Sequence, residues 1–204
     1  PTLESDAAGS NAPITLASAS PRRLKLIKQM RLPVRTFPVD IEESFTDDDP
    51  AEDARRIAEE KLGAFLRLYD TGSHPWIVTA DTVVTLDGKK IGKPRNKEHA
   101  RATLAALSGR THRVITGIAF NSVRRGMTAA HAVTDVVFAA LSTEEIEWYL
   151  SLGEWEGAAG GYKIQGTGGC FIVKIDGSYS NVMGLPIRLF YGMLKSHNYP
   201  FDWS

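Results

Sequence analysis

The segment ITLASASPRRLKLIK, residues 14–28, contains a change from strand to helix around which the chain is organised. Its first four residues suit a short apolar strand, and a helix is predicted to begin at Pro21 with Ser20 as its N-cap. The free N–H groups and partial positive charge of that helix start face the intervening loop. Two serine hydroxyls and two guanidinium groups lie in the same few residues, at Ser18, Ser20, Arg22 and Arg23. These donors predict an anion site suited to phosphate; the alternative is an ordinary capped helix with two solvated arginines.

The composition is that of an ordinary globular protein. Of its residues, 43% are hydrophobic and 24% are charged, and the length of 204 residues is enough for one large domain or two small ones. Residues 1–13, PTLESDAAGSNAP, lack a basic segment followed by an apolar one, so they do not match a secretory signal. We expect residues 1–12 to form a disordered polar lead. Residues 13–204 contain no internal repeat and no low-complexity linker, so a single domain is predicted.

Charge and cysteine content narrow the possible partners. The formal net charge is zero, so no overall field favours nucleic acid. Since no apolar run approaches the roughly 18 residues needed to span a bilayer, we expect no membrane partner. A single cysteine, Cys170, excludes an internal disulfide framework and fits a reducing cytoplasm. We interpret Cys170 as a core residue.

An amphipathic helix is predicted over about residues 53–69. Its apolar stripe at helical spacing consists of Ala54, Ile57, Ala58, Leu62, Phe65 and Leu68. Lys61 falls inside this stripe. A lysine directed at the core is costly unless it meets an anion, so we interpret Lys61 as a functional cation. The alternative is a lysine at the edge of the stripe that extends its ammonium group to water.

Residues 76–86 are nearly all apolar and β-branched, which predicts a buried strand followed by a hairpin turn at Asp87-Gly88. Asp81 interrupts this run with a charge. Because a buried carboxylate is rarely left unpaired, we expect Asp81 at a bulge or strand end, facing a metal, a cation or a water. Asp81 is therefore the best catalytic candidate, and the alternative is a structural aspartate that holds a turn.

The remaining segments complete an alternation of strands and helices. Lys93 lies on a stiff loop between a glycine and a proline, and a capped helix should follow over residues 96–107. Residues 111–120 and 130–141 predict an antiparallel pair of strands. Residues 153–169 are rich in glycine, so the backbone there can approach a ligand closely.

The candidate site residues combine cations with acids. The cations are Arg22, Arg23, Lys61 and Lys93, and the carboxylates are Glu43 and Asp81. Fixed cations neutralise phosphoryl oxygens, while carboxylates hold a divalent metal or position an attacking water. These residue types favour hydrolysis of a phosphate ester or anhydride, with a nucleotide-binding regulatory module as the alternative. No serine–histidine or cysteine–histidine pair supports covalent acyl chemistry.

Eight short motifs resemble the Maf family of nucleotide pyrophosphatases, in the family's order and from residue 14 to about residue 194. They are SASPRR, DIEES, AEEKLGAF, ADTVV, GKP, LSGRTHRVITG, GGYKIQGTGG and SNVMGLPI. Each is weak alone, whereas eight in order are highly specific. The resemblance implies an α/β fold with a central mixed twisted β-sheet flanked by helices, similar to that of the inosine-triphosphate pyrophosphatases. It also implies a cleft between two lobes and, usually, a homodimer.

The resemblance further implies hydrolysis of a nucleoside triphosphate to the monophosphate and pyrophosphate, with a divalent cation, Mg²⁺ or Mn²⁺. By this resemblance Asp81 is the general base that activates water for attack on the α-phosphorus, and Glu43 joins Asp81 in binding the metal. The groups that would hold the triphosphate are Arg22, Arg23, Lys61 and Lys93, with Ser18 and Ser20 beside it. Residue types alone select the same groups but do not specify the base of the substrate.

Substrate choice rests, by the same resemblance, on fewer residues. Family members with Tyr-x-Ile-Gln-Gly, here residues 162–166, act on dTTP and UTP, whereas a sister branch with Glu-Gly prefers other or modified nucleotides. Gln165 has amide donors and acceptors that can pair with the 4-oxo and N3–H edge of a pyrimidine. Arg22 and Thr82 are the other positions linked to substrate choice. The alternative for Gln165 is a structural amide in a glycine-rich loop.

The chain departs from the family pattern at one place. The family usually has Asp-Lys just before the Ala-Gly of the glycine-rich loop, whereas this chain has Gly157-Ala158. The stability of the loop or its affinity for phosphate should therefore differ. Two other functions stay open: a non-catalytic, nucleotide-binding regulator of septum formation and cell division, and a pyrophosphatase for modified or inosine-type nucleotides.

Overall fold

The computed structural model describes residues 12–46 and 49–201. All but the last residue of the predicted disordered lead, residues 1–12, lies outside this part of the chain. That prediction and the prediction of one domain over residues 13–204 therefore stay predictions. No helix within the described ranges is both long enough and apolar enough to cross a lipid bilayer.

The predicted central mixed sheet is confirmed, and within the described residues it has seven strands. Its strands are β1 (Ile14–Leu16), β2 (Val34–Thr36), β3 (Trp76–Leu86), β4 (Lys89–Ile91), β5 (Thr111–Ser122), β6 (Gly126–Phe138) and β7 (Ile172–Asp176). The order across the sheet is β2-β1-β3-β5-β6-β7, and β4 also pairs with β3. Strand β1 runs parallel to β2 and β3, whereas the other pairs are antiparallel.

Six α-helices accompany the sheet in the described part of the chain. They are α1 (Pro21–Gln29), α2 (Pro50–Leu68), α3 (Lys97–Leu107), α4 (Thr143–Ser151), α5 (Tyr179–Val182) and α6 (Ile187–Ser196). The predicted start of α1 is confirmed, since the Ser20 hydroxyl accepts a hydrogen bond from the Arg23 N–H. Helix α2 begins at Pro50 rather than near residue 53, because the Asp49 carboxylate caps the N–H groups of Ala51 and Glu52.

Helices cover both faces of the sheet. Ile77 and Ala119 pack with residues of α2, whereas Val78 and Phe120 belong to the larger core cluster that contains residues of α1, α3 and α6. Neighbouring residues on β3 and β5 therefore face opposite layers, as expected for a sheet buried on both sides. The confirmed fold class is α/β.

Two burial predictions were wrong. Leu68 is 68% exposed, because it is the last residue of α2 and lies beyond Phe65, the last buried residue of that helix. Cys170 is also exposed, since the 3₁₀ turn Thr167–Phe171 directs Phe171, rather than the cysteine, into the core.

The two edges of β3 are paired differently. One edge pairs with β5 along nearly its whole length, from Trp76 opposite Ser122 to Thr85 opposite Arg113. The other edge pairs with β1 near its start and with β4 at its end. Between those two short strands, over residues 79–83, no strand from the described part of the chain pairs with that edge. The opening exposes the middle of a buried strand to a cavity.

Close backbone contact fixes α2 above this part of the sheet. Gly117 lies directly opposite Asp81, and a Cβ atom there would meet the backbone oxygen of Ala54 at 2.0 Å. The Thr79 hydroxyl also donates a 2.6 Å hydrogen bond to the Ala58 carbonyl. Only glycine permits α2 to lie this close, and Lys61 follows three residues after Ala58 on the same helix.

We expect Gly117→Ala to lower the free energy of unfolding by about 3 kcal/mol, because the new methyl group must displace the backbone of α2. Urea unfolding followed by circular dichroism measures the change. Gly192→Ala is the matched control, since nothing lies within 4 Å of a Cβ at that helical position. The control should gain about 0.5–1 kcal/mol from the reduced entropy of the unfolded chain. Equal stability of the two variants would contradict the close packing of α2 at Gly117.

Candidate active site

A cavity of about 490 Å³ opens at the unpaired edge of β3. Its walls come from the start of α1, the segment before α2, the β3–β4 hairpin, the glycine-rich loop and the turn after α5. All ten candidate residues from the sequence line it: Ser18, Ser20, Arg22, Arg23, Glu43, Lys61, Asp81, Thr82, Lys93 and Gln165. The fold therefore brings together groups that are separated by up to 147 positions in the sequence.

Lys61 joins the two acids at the centre of the cavity. Its ammonium nitrogen lies 2.7 Å from Oδ1 of Asp81 and 2.6 Å from Oε1 of Glu43. The side chains of Lys61 and Asp81 are 13% and 9% exposed, whereas that of Glu43 is 41% exposed. The expectation that Lys61 points inward to meet an anion is confirmed.

The expected backbone position of Asp81 was wrong. Asp81 lies neither at a bulge nor at a strand end, but pairs in register with Gly117 in the middle of β3. The strand tolerates the charge there because its neighbouring edge is unpaired and Lys61 reaches the carboxylate from α2. A cation from another element replaces the backbone irregularity that the sequence suggested.

Three hydrogen bonds from its guanidinium group hold Arg23 in place. Nε donates to the Gly184 carbonyl at 2.9 Å, Nη1 to the Ser18 hydroxyl at 3.1 Å and Nη2 to the Thr82 hydroxyl at 3.1 Å. Burial lowers the pKa of Arg23, the charge of Asp81 raises it, and the like charge of Arg22 lowers it again. Arg23 is thus a fixed cation on the wall of the cavity.

Arg22 and Lys93 are arranged differently. Neither side chain has a hydrogen-bond or ion-pair partner in residues 12–46 or 49–201, although both line the cavity. Burial lowers the pKa of the Arg22 guanidinium, which is half-buried, whereas Lys93 is exposed on the segment after β4. These two cations are therefore available to an incoming anion.

The glycine-rich loop brings Gln165 to the other side of the cavity. The Tyr162 hydroxyl lies 2.8 Å from Nε2 of the buried His112. Burial lowers the pKa of His112 to about 4, so this imidazole is neutral at neutral pH. The Glu154 carboxylate accepts hydrogen bonds from the backbone and hydroxyl of Thr167, at 2.9 Å and 3.0 Å. The loop thus has anchors on both sides of Gln165.

Several residues of the site were not identified from the sequence. Lys90 and Lys163 also line the cavity. Gly157 and Ala158, the departure from the family pattern noted in the sequence, line it as well. Thr116, on β5, does not line the cavity, but its hydroxyl is hydrogen-bonded to that of Thr82. Lys163 could have been predicted to line the cavity, because it lies two residues before Gln165 in the same glycine-rich loop. No comparable signal exists for Thr116, since it depends on how β3 and β5 pair.

The fold and the site define an α/β protein with a cleft lined by cations, in which a lysine joins two acids. The chain belongs to the Maf family, whose model, described as "Maf-like protein", matches residues 13–197. The dTTP/UTP pyrophosphatase of Syntrophomonas wolfei subsp. wolfei is 41% identical over 181 residues, which cover 88% of this chain and 94% of the relative.

Relatives from other lineages match over similar lengths. The dTTP/UTP pyrophosphatase of Pyrococcus furiosus is 42% identical over 175 residues, covering 85% of this chain and 90% of that protein. Among solved structures, the Ham1 protein of Staphylococcus aureus is 15% identical, with a TM-score of 0.44 over 62% of this chain and 72% of its own.

We predict that Lys61→Met costs about 2–4 kcal/mol of stability, because it leaves the carboxylate of Asp81 buried without its cation. The double variant Lys61→Met/Asp81→Asn should regain most of that loss, since it removes the uncompensated charge. Urea unfolding at pH 7 compares the two, with Lys93→Ala as a control that removes an exposed, unpartnered cavity cation. Equal losses in the single and double variants would argue against the Lys61–Asp81 pair.

Proposed function

We propose that this protein hydrolyses dTTP and UTP to the nucleoside monophosphate and pyrophosphate. The observation that carries the proposal is Lys61 bound to both Asp81 and Glu43 inside a cavity that also holds Arg22, Arg23 and Lys93. Paired acids among several cations suit the chemistry of a phosphoric anhydride. The pyrimidine nucleotides come from the relatives, which are named for dTTP and UTP.

The cations would bind the triphosphate and offset its charge. Arg22 and Lys93 have no partner among the described residues, so binding phosphate breaks no existing ion pair. Arg23 is already held by the protein, and it presents its charge with little loss of side-chain freedom. The N-terminus of α1 adds its partial positive charge next to Ser18 and Ser20.

Asp81 would accept the proton of the attacking water. The water oxygen forms a bond to the α-phosphorus while the bond from that phosphorus to the bridging oxygen breaks, and pyrophosphate leaves with the electron pair. Oδ1 of Asp81 accepts a hydrogen bond from Lys61, which fixes the orientation of the carboxylate. The second oxygen of the same carboxylate then serves as the base.

We further propose that Mg²⁺ or Mn²⁺ binds at Glu43 and Asp81. Oδ1 of Asp81 and Oε1 of Glu43 both bind the ammonium of Lys61, and each has a second lone pair. The metal would bind these two oxygens beside the ammonium, which leaves the second oxygen of Asp81 to act as the base. Across residues 12–46 and 49–201 no cluster of three or more potential metal ligands occurs, so substrate phosphates would complete the coordination. The metal would supply neutralisation of phosphoryl charge and acidification of bound water.

Gln165 is our candidate for reading the pyrimidine. It lines the cavity together with Ile164, on a loop that Tyr162 and Glu154 hold in place. Its amide can both donate and accept, which matches the 4-oxo and N3–H groups of thymine and uracil. Thr82 has a different environment, because its hydroxyl is already bound to Arg23 and Thr116.

We also propose an oligomeric state and a cellular location. The family resemblance suggests a homodimer, which sedimentation velocity measures directly. A cytoplasmic location is supported by a composition with one cysteine in 204 residues and by the nature of the substrates.

The activity is tested with a panel of nucleoside triphosphates, with and without Mg²⁺ or Mn²⁺, by measuring pyrophosphate release. We expect release to be fastest with dTTP and UTP, to stop with EDTA, and to fall at least 10³-fold in Asp81→Asn, as expected for loss of an essential base. No release from any nucleotide at high protein concentration would reject the proposal. A preference for inosine-type or modified nucleotides would favour the sister branch instead.

We predict that Gln165→Glu lowers kcat/KM for dTTP and UTP by 10-fold to 100-fold, because a carboxylate cannot donate to the 4-oxo group. The same variant should lose less activity on purine nucleotides, so the preference for dTTP and UTP over purine nucleotides should decrease. Measurement of kcat/KM across the panel tests this, with Lys163→Gln as a control that changes a neighbouring cavity residue of the same loop. A uniform loss over all nucleotides would mean that Gln165 supports the loop and does not read the base.

A further inference from the structure

A chain of hydrogen bonds runs from the cavity into the core of the sheet. Nη2 of Arg23 donates to Oγ1 of Thr82 at 3.1 Å, and Oγ1 of Thr82 lies 3.1 Å from Oγ1 of Thr116. Oγ1 of Thr116 donates in turn to the backbone carbonyl of Asn181, also at 3.1 Å. Thr82 and Thr116 are direct partners in the pairing of β3 with β5.

The donor and acceptor of each hydrogen bond in this series are fixed, because each threonine hydroxyl has a single proton. A threonine hydroxyl carries one proton, and a backbone carbonyl can only accept. The proton of Thr116 is therefore committed to Asn181. Between the two threonines, Thr82 must donate and Thr116 must accept. Thr82 then has no proton left for a ligand and presents only its lone pairs to Arg23.

The surroundings prevent other arrangements. Thr116 is fully buried and does not line the cavity. The Asn181 side chain is anchored by its own donations to the Val114 carbonyl and the Thr134 hydroxyl, at 3.0 Å and 2.9 Å. At Gly184, with φ of +103°, a Cβ atom would lie 3.2 Å from Oγ1 of Thr82. The turn after α5 thus closes tightly over Thr82 and Arg23.

We propose that Thr116 is a positioning residue for the reaction: it orients the Thr82 hydroxyl as an acceptor and so fixes the guanidinium plane of Arg23 before substrate binds. Thr82 accordingly acts through Arg23 and makes no donation to the nucleotide. The kinetic part of this inference rests on the proposed hydrolysis. Its structural part, the immobility of Arg23, does not.

The test compares Thr116→Val, which keeps the β-branched shape but removes the hydroxyl, with Thr116→Ser, which restores it. We expect Thr116→Val to raise KM for dTTP about tenfold with a smaller change in kcat, as expected for weakened binding by a cation. Thr116→Ser should return KM to within about twofold of the original. Thr85→Val is the control, because Thr85 is a buried β3 residue outside the cavity lining. It should leave KM unchanged.

A second measurement separates this inference from the proposed activity. In the NMR spectrum the Nε–H group of Arg23 should exchange slowly with water in the original protein and in Thr116→Ser, and at least tenfold faster in Thr116→Val. The affinity for inorganic pyrophosphate, measured by titration, should fall by a similar factor in Thr116→Val. These results can be obtained even if no nucleotide is hydrolysed, which would reject only the proposed function.

Unchanged Nε–H exchange and pyrophosphate affinity in a folded Thr116→Val protein would overturn the inference. An equal rise of KM in Thr85→Val would also overturn it, because any threonine-to-valine substitution in the sheet would then have the same effect. If Thr116→Val does not fold, Thr116→Ala replaces it with the same expected results and the same criteria.

Discussion

A carboxylate in the middle of a buried strand needs a cation, and the structure depends on how that need is met. Asp81 lies in register in β3, and the ammonium of Lys61 reaches it from α2 at 2.7 Å. The helix must therefore lie close to the sheet at a defined position. Gly117 allows the backbone of α2 to approach, and Thr79 binds its Ala58 carbonyl at 2.6 Å. Core packing and site geometry are thus set by the same contacts.

The cavity has an equally simple cause. Strands β1 and β4 are three residues each, and both pair with the same edge of the much longer β3. The unpaired segment between them leaves the edge of β3 at Asp81 and Thr82 open to the cavity, where a longer neighbouring strand would have paired with it. The N-terminus of α1 follows directly after β1 by way of a four-residue loop, so donors for an anion arrive at the same opening. A cavity lined by cations therefore results from strand lengths as much as from side-chain identity.

Local signals in the sequence predicted much of the fold and of the candidate site. The features that they missed depend on contacts between distant segments. The cap at Ser20, the bounds of β3 and the inward direction of Lys61 follow from spacing and residue type. The position of Asp81 within its strand was predicted wrongly, because pairing of strand edges depends on distant segments. The bond between Thr82 and Thr116 likewise requires the register of two strands that are 34 positions apart. Resemblance to a family was the source of the proposed substrate, which residue types alone do not encode.

The hairpin between β3 and β4 has a consequence for how such a chain can change during evolution. Its turn uses two residues with positive φ, Asp87 at 50° and Gly88 at 75°, and it sets the register that leads on to Lys93. One inserted residue there would shift β4 along β3 and move Lys93 away from the cleft. The β5–β6 turn, residues 123–125, has exposed side chains and lies outside the cavity lining. Length variation among descendants should therefore accumulate at the second turn and be eliminated at the first.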